Sequence, residues 1–342
     1  MRDRRMATRR SARRKPFPMR FNKLDLNLLV ALDALLSEHS ISRAAEKVHL
    51  SQSAMSNALA RLREYFDDEL LVQVGRKMEP TPRAEGLADA VRDILVRVEA
   101  SIATPPTFVA AESTRVFRLL VSDFTLSTLI PHFLKRIYAC APGVRIELCP
   151  QVAQAARSLE RADVDMLIIP IDYCTGEHPT DILFEEDYCC VMWNEATLAG
   201  AAITREQYLG AGHVVVTPGH VDAVLADWFG ERIGVQRKVE ITTFSFAAPA
   251  QLVVGTQRVA TMHRRLAEHA ARSLPITICD VPVTIPKMQQ AMQWHSHRSA
   301  DPGLRWLREN LKASVLDMDG RNATGATRVP AGTAACAAVK LR

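Results

Sequence analysis

The side chains with the clearest chemistry lie in ISRAAEKVHLSQSAMSNALA, Ile41 to Ala60. Read as a helix, Gln52–Phe66 turns Gln52, Ser53, Ser56, Asn57, Arg61 and Arg63 outward. Glutamine and asparagine amides can pair with adenine through two bonds, and serine can bond any base edge in a DNA major groove. Arginines further along suit phosphates, which fix position without reading sequence. Ser51 stands where an N-cap would open this helix, near the same surface. Such a reading helix must cross a second helix at a small residue, locked by apolar residues at set offsets. Ala45 supplies the first, and Leu50, Met55 and Leu59 follow it by five, ten and fourteen positions. His49 occupies the turn, where glycine is common. Arg76 and Lys77, beside Gly75, suit the tip of a wing lying by the minor groove.

The elements that must position these groups follow from periodicity. Leu28, Leu32, Leu35 and Leu36 recur at helical spacing after Asp25, an N-cap residue. A second helix fits Arg43–Val48 and a third Gln52–Phe66, with a hairpin over Glu69–Pro80. A long helix from Arg83 to Ser101 is expected to end before Thr104-Pro105-Pro106. After residue 113 short apolar runs alternate with helical stretches: Val116–Val121, Leu126–Tyr138, Val144–Leu148, Ala153–Arg161 and Met166–Ile169. The rhythm resumes with strands at His213–Val216 and Lys238–Phe244 around a helix at Asp222–Ile233. Strands near Val259–Met262, Ile276–Cys279 and Ala291–His295 follow, then a closing helix at Leu304–Leu311. Alternation of this kind predicts an α/β fold with a largely parallel sheet in two similar halves, joined around Cys189–Trp193 and again near Gln290–His295.

Composition narrows the function classes. The net charge of +5 is misleading, because residues 1–18 hold eight Arg and Lys against one acid and leave −2 for the rest. Those residues read either as a disordered basic arm touching phosphates or as an over-long start before Met19. The Ala-, Gly- and Thr-rich residues 317–342 read as a disordered tail. No apolar run is long enough for a membrane span and no secretory signal opens the chain, so a cytoplasmic location is expected. Seven cysteines without CxxC spacing suggest neither a disulfide framework nor a zinc site. His213 with His220, or His295 with His297, lack the partners a metal needs, and no cofactor is expected. GxSxG, phosphate-cradling glycine loops and HExxH are all missing, and Asp163 and Asp165 in ADVDMLII read as a helix end before a strand, so no enzyme is expected.

LDLNLLVALDALL, SRAAEKVHLSQSAMSNALARLREYFDDELLV and GRKMEPTP together resemble the LysR-type transcriptional regulators. AGHVVV and QWHSHRSADPGLRWLREN extend the resemblance toward the NodD and NahR-like branch, whose members answer to flavonoids or small aromatic compounds. The resemblance implies an α/β architecture in three parts. These are an N-terminal winged helix-turn-helix (24–81), a linker and dimerisation helix (82–104), and a two-lobed effector domain like periplasmic binding proteins (113–312). It also implies a homodimer or homotetramer on an interrupted palindromic operator in double-stranded DNA, activation through RNA polymerase, and a small aromatic effector. Ser53 departs from the family, which usually has proline there.

In such a domain a ligand sits between the lobes, by the carboxyl ends of strands. Ser122, Thr125 and Ser127 follow the strand Val116–Val121 at a helix start, which suits an anionic group. Phe244 or Phe246 could stack on an aromatic ring. The NahR-like resemblance adds His213 and Arg265 to the pocket. Each has a plainer reading: a helix cap for Ser122, a satisfied strand-end residue for His213, a surface charge for Arg265. The alternative function is a redox-sensing regulator of the same architecture, switched by Cys189 with Cys190 or by Cys140 with Cys149.

Overall fold

The computed structural model describes residues 24–75, 77–103, 107–151, 154–200, 202–217 and 236–320. The basic arm, Arg76, the helix expected at Asp222–Ile233, His220 and residues 321–342 therefore lie outside the described residues. The chain divides into two compact units between Leu95 and Val96.

In the first unit α1 (Leu26–Glu38), α2 (Ile41–Lys47) and α3 (Gln52–Phe66) precede a hairpin of β1 (Leu71–Val74) and β2 (Lys77–Pro80). The caps are local chemistry. Asp25 accepts from the Leu28 N–H at 2.9 Å, Ser40 from Arg43 at 3.4 Å and Ser51 from Ala54 at 3.2 Å. Leu32, Leu35, Ala45, Met55, Leu59 and Leu62 share one core. Leu50 does not join it; it is 44% exposed, although its N–H donates to the Ala45 carbonyl at 2.8 Å. His49 adopts φ 56°, the left-handed turn conformation in which glycine is at ease. Gly75 takes φ +64° in the two-residue turn between Val74 and Lys77. The next helix, α4, runs Pro82–Val98 with proline at its first position, and a wider helical turn continues over Glu99–Ala103.

The second unit holds two five-stranded sheets. The first is ordered β4 (Arg145–Pro150), β3 (Val116–Val121), β5 (Met166–Pro170), β12 (Met288–Gln293) and β6 (Thr180–Glu186). The second is ordered β11 (Ile276–Cys279), β7 (Tyr188–Trp193), β10 (Val259–His263), β8 (Gly212–Val216) and β9 (Lys238–Thr243). In the first, β3 runs parallel to β4 and β5, while β12 is antiparallel to β5 and β6. Helices α5 (Asp123–Thr128), α6 (Ile130–Tyr138) and α7 (Ala155–Glu160) follow the strands of the first lobe. Helices α8 (Arg205–Gly210), α9 (Pro249–Leu252) and α10 (Arg264–Ala270) belong to the second, and α11 (Pro302–Met318) packs against α6.

Several sequence expectations shift. Leu126–Tyr138 is two helices broken at Leu129, since Pro131 fits only the first turn of a helix. Strand β6 was not expected at all. Cys189–Trp193 and Gln290–Gln293 are interior strands, so they do not join the lobes. The chain crosses at Asp187, between β6 and β7, and returns over 280–287, between β11 and β12. The closing helix reaches Met318, beyond both its expected end at Leu311 and the expected start of the tail at residue 317, because Leu304, Leu307, Leu311 and Val315 continue its buried face.

Candidate functional site: a recognition helix and an interlobe cleft

Met55, Leu59 and Leu62 bury one face of α3. The opposite face leaves Gln52, Ser53, Ser56 and Asn57 exposed. The Ser51 and Ser53 hydroxyls lie 3.0 Å apart, so Ser53 hydrogen-bonds within the helix start. Arg61 and Arg63 differ sharply. Arg61 is exposed and pairs with Asp25 at 3.2 Å, an exchangeable surface contact. Arg63 donates to the carbonyls of Glu69 at 2.8 Å and Leu71 at 2.9 Å, which ties α3 to the base of the hairpin. Its guanidinium is a structural clamp, and this corrects its expected placement on the open polar face. Lys77 is exposed at the hairpin tip.

In the second unit the carboxyl end of β3 meets the crossings. Ser122 caps α5, accepting from the Thr125 N–H at 3.3 Å. Thr125 is fully buried, and its hydroxyl accepts from the Gln290 amide at 3.0 Å. The other end of that amide, Oε1 of Gln290, is buried with no hydrogen-bond partner. Gln290 pairs across the sheet with Phe184, whose ring lies 6.2 Å from that of Phe124, and this leads to aromatic rings of both lobes. His263, closing β10, stacks on Phe124 at 4.3 Å and neighbours Tyr188 at 5.0 Å and Phe246 at 5.3 Å. Burial holds the His263 imidazole neutral, with its pKa pulled down to about 3, and pushes the Tyr188 phenol up. Asp123 of α5 accepts from the Ser245 hydroxyl at 2.7 Å and the Ala247 N–H at 3.3 Å, which latches the first lobe to the second.

Thr125 and Phe246 are thus brought together as expected residues, with Ser122 at the edge as a cap. The others stand elsewhere. Ser127 is exposed on α5, and Phe244 is 79% exposed. His213 is fully buried at the opposite end of the second sheet. It pairs with Val259, a strand length of about 13 Å from His263. Its Nε2 bonds the Tyr208 carbonyl at 2.7 Å, so it serves the packing of α8, while its Nδ1 has no partner. Arg265 is near the crossing but occupied. Its guanidinium meets Glu186 at 3.1 Å and Asp319 at 2.8 Å and lies 4.9 Å from the Phe184 ring centre. Burial pushes the Glu186 carboxyl up to about 7 against the pull of this arginine. Gln290, His263, Tyr188, Phe124 and Glu186 escaped sequence reading. The signal for His263 was its place at the end of an apolar strand, VATMH, before a helix.

A depression of about 430 Å³ opens instead near the start of β3, lined by residues that include Phe108, Arg115, Asp301 and Gly303. Two of its charges are already paired, since Arg115 and Asp301 form a two-bond pair at 2.8 and 2.7 Å. The cysteines expected as switches do not face each other. Cys189 and Cys190 point to opposite faces of β7, into different cores, and Cys140 and Cys149 likewise pack against different cores.

Residues 26–85 match the bacterial regulatory helix-turn-helix protein profile of the lysR family, and residues 110–315 match the LysR substrate binding domain. The chain belongs to the LysR family. This LysR-type transcriptional regulator is 40% identical over 306 residues to Nodulation protein D 2 of Rhizobium leguminosarum bv. phaseoli, covering 89% of this chain and 96% of that protein. It is also similar to the crystal structure of a probable transcriptional regulator from Pseudomonas aeruginosa, with TM-score 0.59 and 30% identity over 86% of this chain and 98% of that one. Full-length OxyR from the same organism shares the fold, with TM-score 0.67 at 20% identity over 86% of this chain and 95% of that one. The LysR assignment fits the observed order of a winged helix-turn-helix followed by a two-lobed α/β domain. Among the described residues no helix is long and apolar enough to cross a membrane.

Proposed function

We propose that this LysR-type regulator is an activator whose effector is an uncharged, hydroxylated aromatic compound of phenol or flavonoid type, held between the lobes. The observation that carries the reading is the buried, unpartnered Oε1 of Gln290 amid rings from both lobes. An unmet buried acceptor costs about 1–3 kcal/mol, and a ligand hydroxyl donating to it removes that cost. Phe124, Tyr188, Phe246 and His263 supply stacking surface. Charge disfavours an aromatic acid. Arg265 is taken by Glu186 and Asp319 and His263 is neutral, so a ligand carboxylate would be buried without compensation.

On the DNA side, Gln52, Ser53 and Ser56 read base edges, Ser51 and Asn57 flank them, and Arg61, Lys77 and Arg76 meet phosphates or the minor groove. The 82–104 helix pairs two copies, and dimers of dimers sit on an interrupted palindrome, in the cytoplasm, next to RNA polymerase. The effector acts by preferring one lobe arrangement, since only a differential affinity shifts such an equilibrium. The Asp123–Ser245 latch is the contact that opening must break. The test is a gel-shift titration on the intergenic DNA beside the gene, with phenols, flavonoids and aromatic acids. The reading expects a specific complex altered by the neutral hydroxylated compounds. A response confined to carboxylic acids overturns the effector class.

A further inference from the structure

The two crossings between the lobes each have a cysteine on their second-lobe side. Cys190 follows the Asp187 crossing on β7, and Cys279 ends β11 just before the 280–287 return. Antiparallel pairing sets them directly opposite each other. Both side chains face the same minor core, with Met192, Tyr208 and Val259, whereas Cys189 faces the other way into the main core. Cys190 is fully buried and Cys279 is half-buried on an edge strand, so of the two Cys279 is the nearer to solvent.

We propose that Cys190 and Cys279 form a reversible disulfide that staples the two interlobe crossings together. Opposed residues on antiparallel strands have Cα atoms about 4.5 or 5.5 Å apart, inside the usual disulfide range of about 4.4–6.8 Å. Their Cβ atoms, about 4.5–5.5 Å apart, must draw in slightly to reach bonding distance, and such strained bonds are the readily reduced ones. The thiols already perturb one another: hydrogen bonding from Cys190 lowers the Cys279 pKa, while that contact and burial raise Cys190.

With a peroxide as oxidant, the Cys279 thiolate attacks one peroxide oxygen. The S–O bond forms, the O–O bond breaks, and the departing oxide takes a proton to leave as water or alcohol. The Cys190 sulfur then attacks the Cys279 sulfenic acid; the S–S bond forms, the S–O bond breaks, and the Cys190 proton leaves with the hydroxide as water. The two thiols lose two electrons and the peroxide gains them. The consequence is mechanical. The crossings are otherwise joined here by polar contacts: Lys287 to Asp187 at 3.1 Å, the Arg264 N–H to the Asp187 carbonyl at 2.9 Å, and Arg264 to Asp280 at 2.6 Å. A covalent link beside them restrains the hinge on which lobe motion depends.

The experiment treats the full-length protein with hydrogen peroxide, alkylates free thiols and maps peptides without reduction. Hydrogen exchange is then followed over 280–287. The proposal expects a Cys190–Cys279 linked peptide pair that dithiothreitol removes, with simultaneous loss of alkylation at both positions. Cys140, Cys149, Cys174 and Cys189 stay alkylated. Exchange over 280–287 slows on oxidation in the wild type and is unchanged by peroxide in Cys279→Ser, a conservative change at a half-buried position. Persistent alkylation of both thiols, or Cys279 driven to sulfinic acid without a link, overturns the disulfide. A link that leaves exchange over 280–287 unaltered overturns the staple.

Discussion

Two arginines two positions apart on α3 have separate duties, and mutation can separate them. Arg63 holds two backbone carbonyls at the base of the wing, so Arg63→Ala should lower stability by about 1–3 kcal/mol in denaturant unfolding. Arg61→Ala should leave stability nearly unchanged yet weaken binding to every DNA sequence, with a shallower salt dependence. A sequence-selective loss from Arg61→Ala would contradict the phosphate role. Gln52→Ala should cost about 1–3 kcal/mol on the operator and far less on random DNA, measured by competition gel shift. Glu186 makes a pH prediction. Its folded pKa of about 7 lies above its ordinary 4.5, so folding favours the protonated form. Its contribution is complete below pH 4.5 and is lost as pH rises through about 7. The Tm of the wild type relative to Glu186→Gln should fall across that window. A constant difference from acid to neutral pH would show that the Glu186 pKa is the same folded and unfolded.

Elements set by local chemistry were the legible ones. The expected bounds of α3, Gln52–Phe66, are those observed, because its cap and its apolar spacing are local. The same holds for Asp25 before α1 and for β3. Elements whose partners are distant in sequence were not legible. Strand β6 reads as TDILFEE, an alternating edge strand whose pairing to β12 joins residues about a hundred positions apart. Gln290 and Glu186 look like ordinary polar residues until β12 and β6 bring them to the contact between the lobes. His213 had the right residue type, but a parallel register fixes it at the wrong end of the sheet. Asp301 shows how one residue can close an element at long range. It caps α11 through the Gly303 and Leu304 N–H groups and pairs with Arg115 at the start of β3. Asp301→Ala leaves a part-buried arginine unpaired and uncaps the helix, and should cost about 3–5 kcal/mol by denaturant unfolding. A loss below about 1 kcal/mol would show the pair to be dispensable.

At the scale of the whole molecule, the regulator separates reading from sensing. One compact unit carries a polar helix face, and the other carries two lobes meeting at a buried aromatic contact with an unmet acceptor. Filling this contact must change how the protein behaves on DNA. The most direct test compares the wild type with Gln290→Leu in gel-shift titrations on the intergenic operator, with and without a hydroxylated aromatic such as a flavonoid. Both proteins should bind the operator with similar affinity, the compound should alter the wild-type complex, and Gln290→Leu should lose that response. A Gln290→Leu variant that responds like the wild type, or a wild type that binds no DNA specifically at moderate salt, would contradict the account.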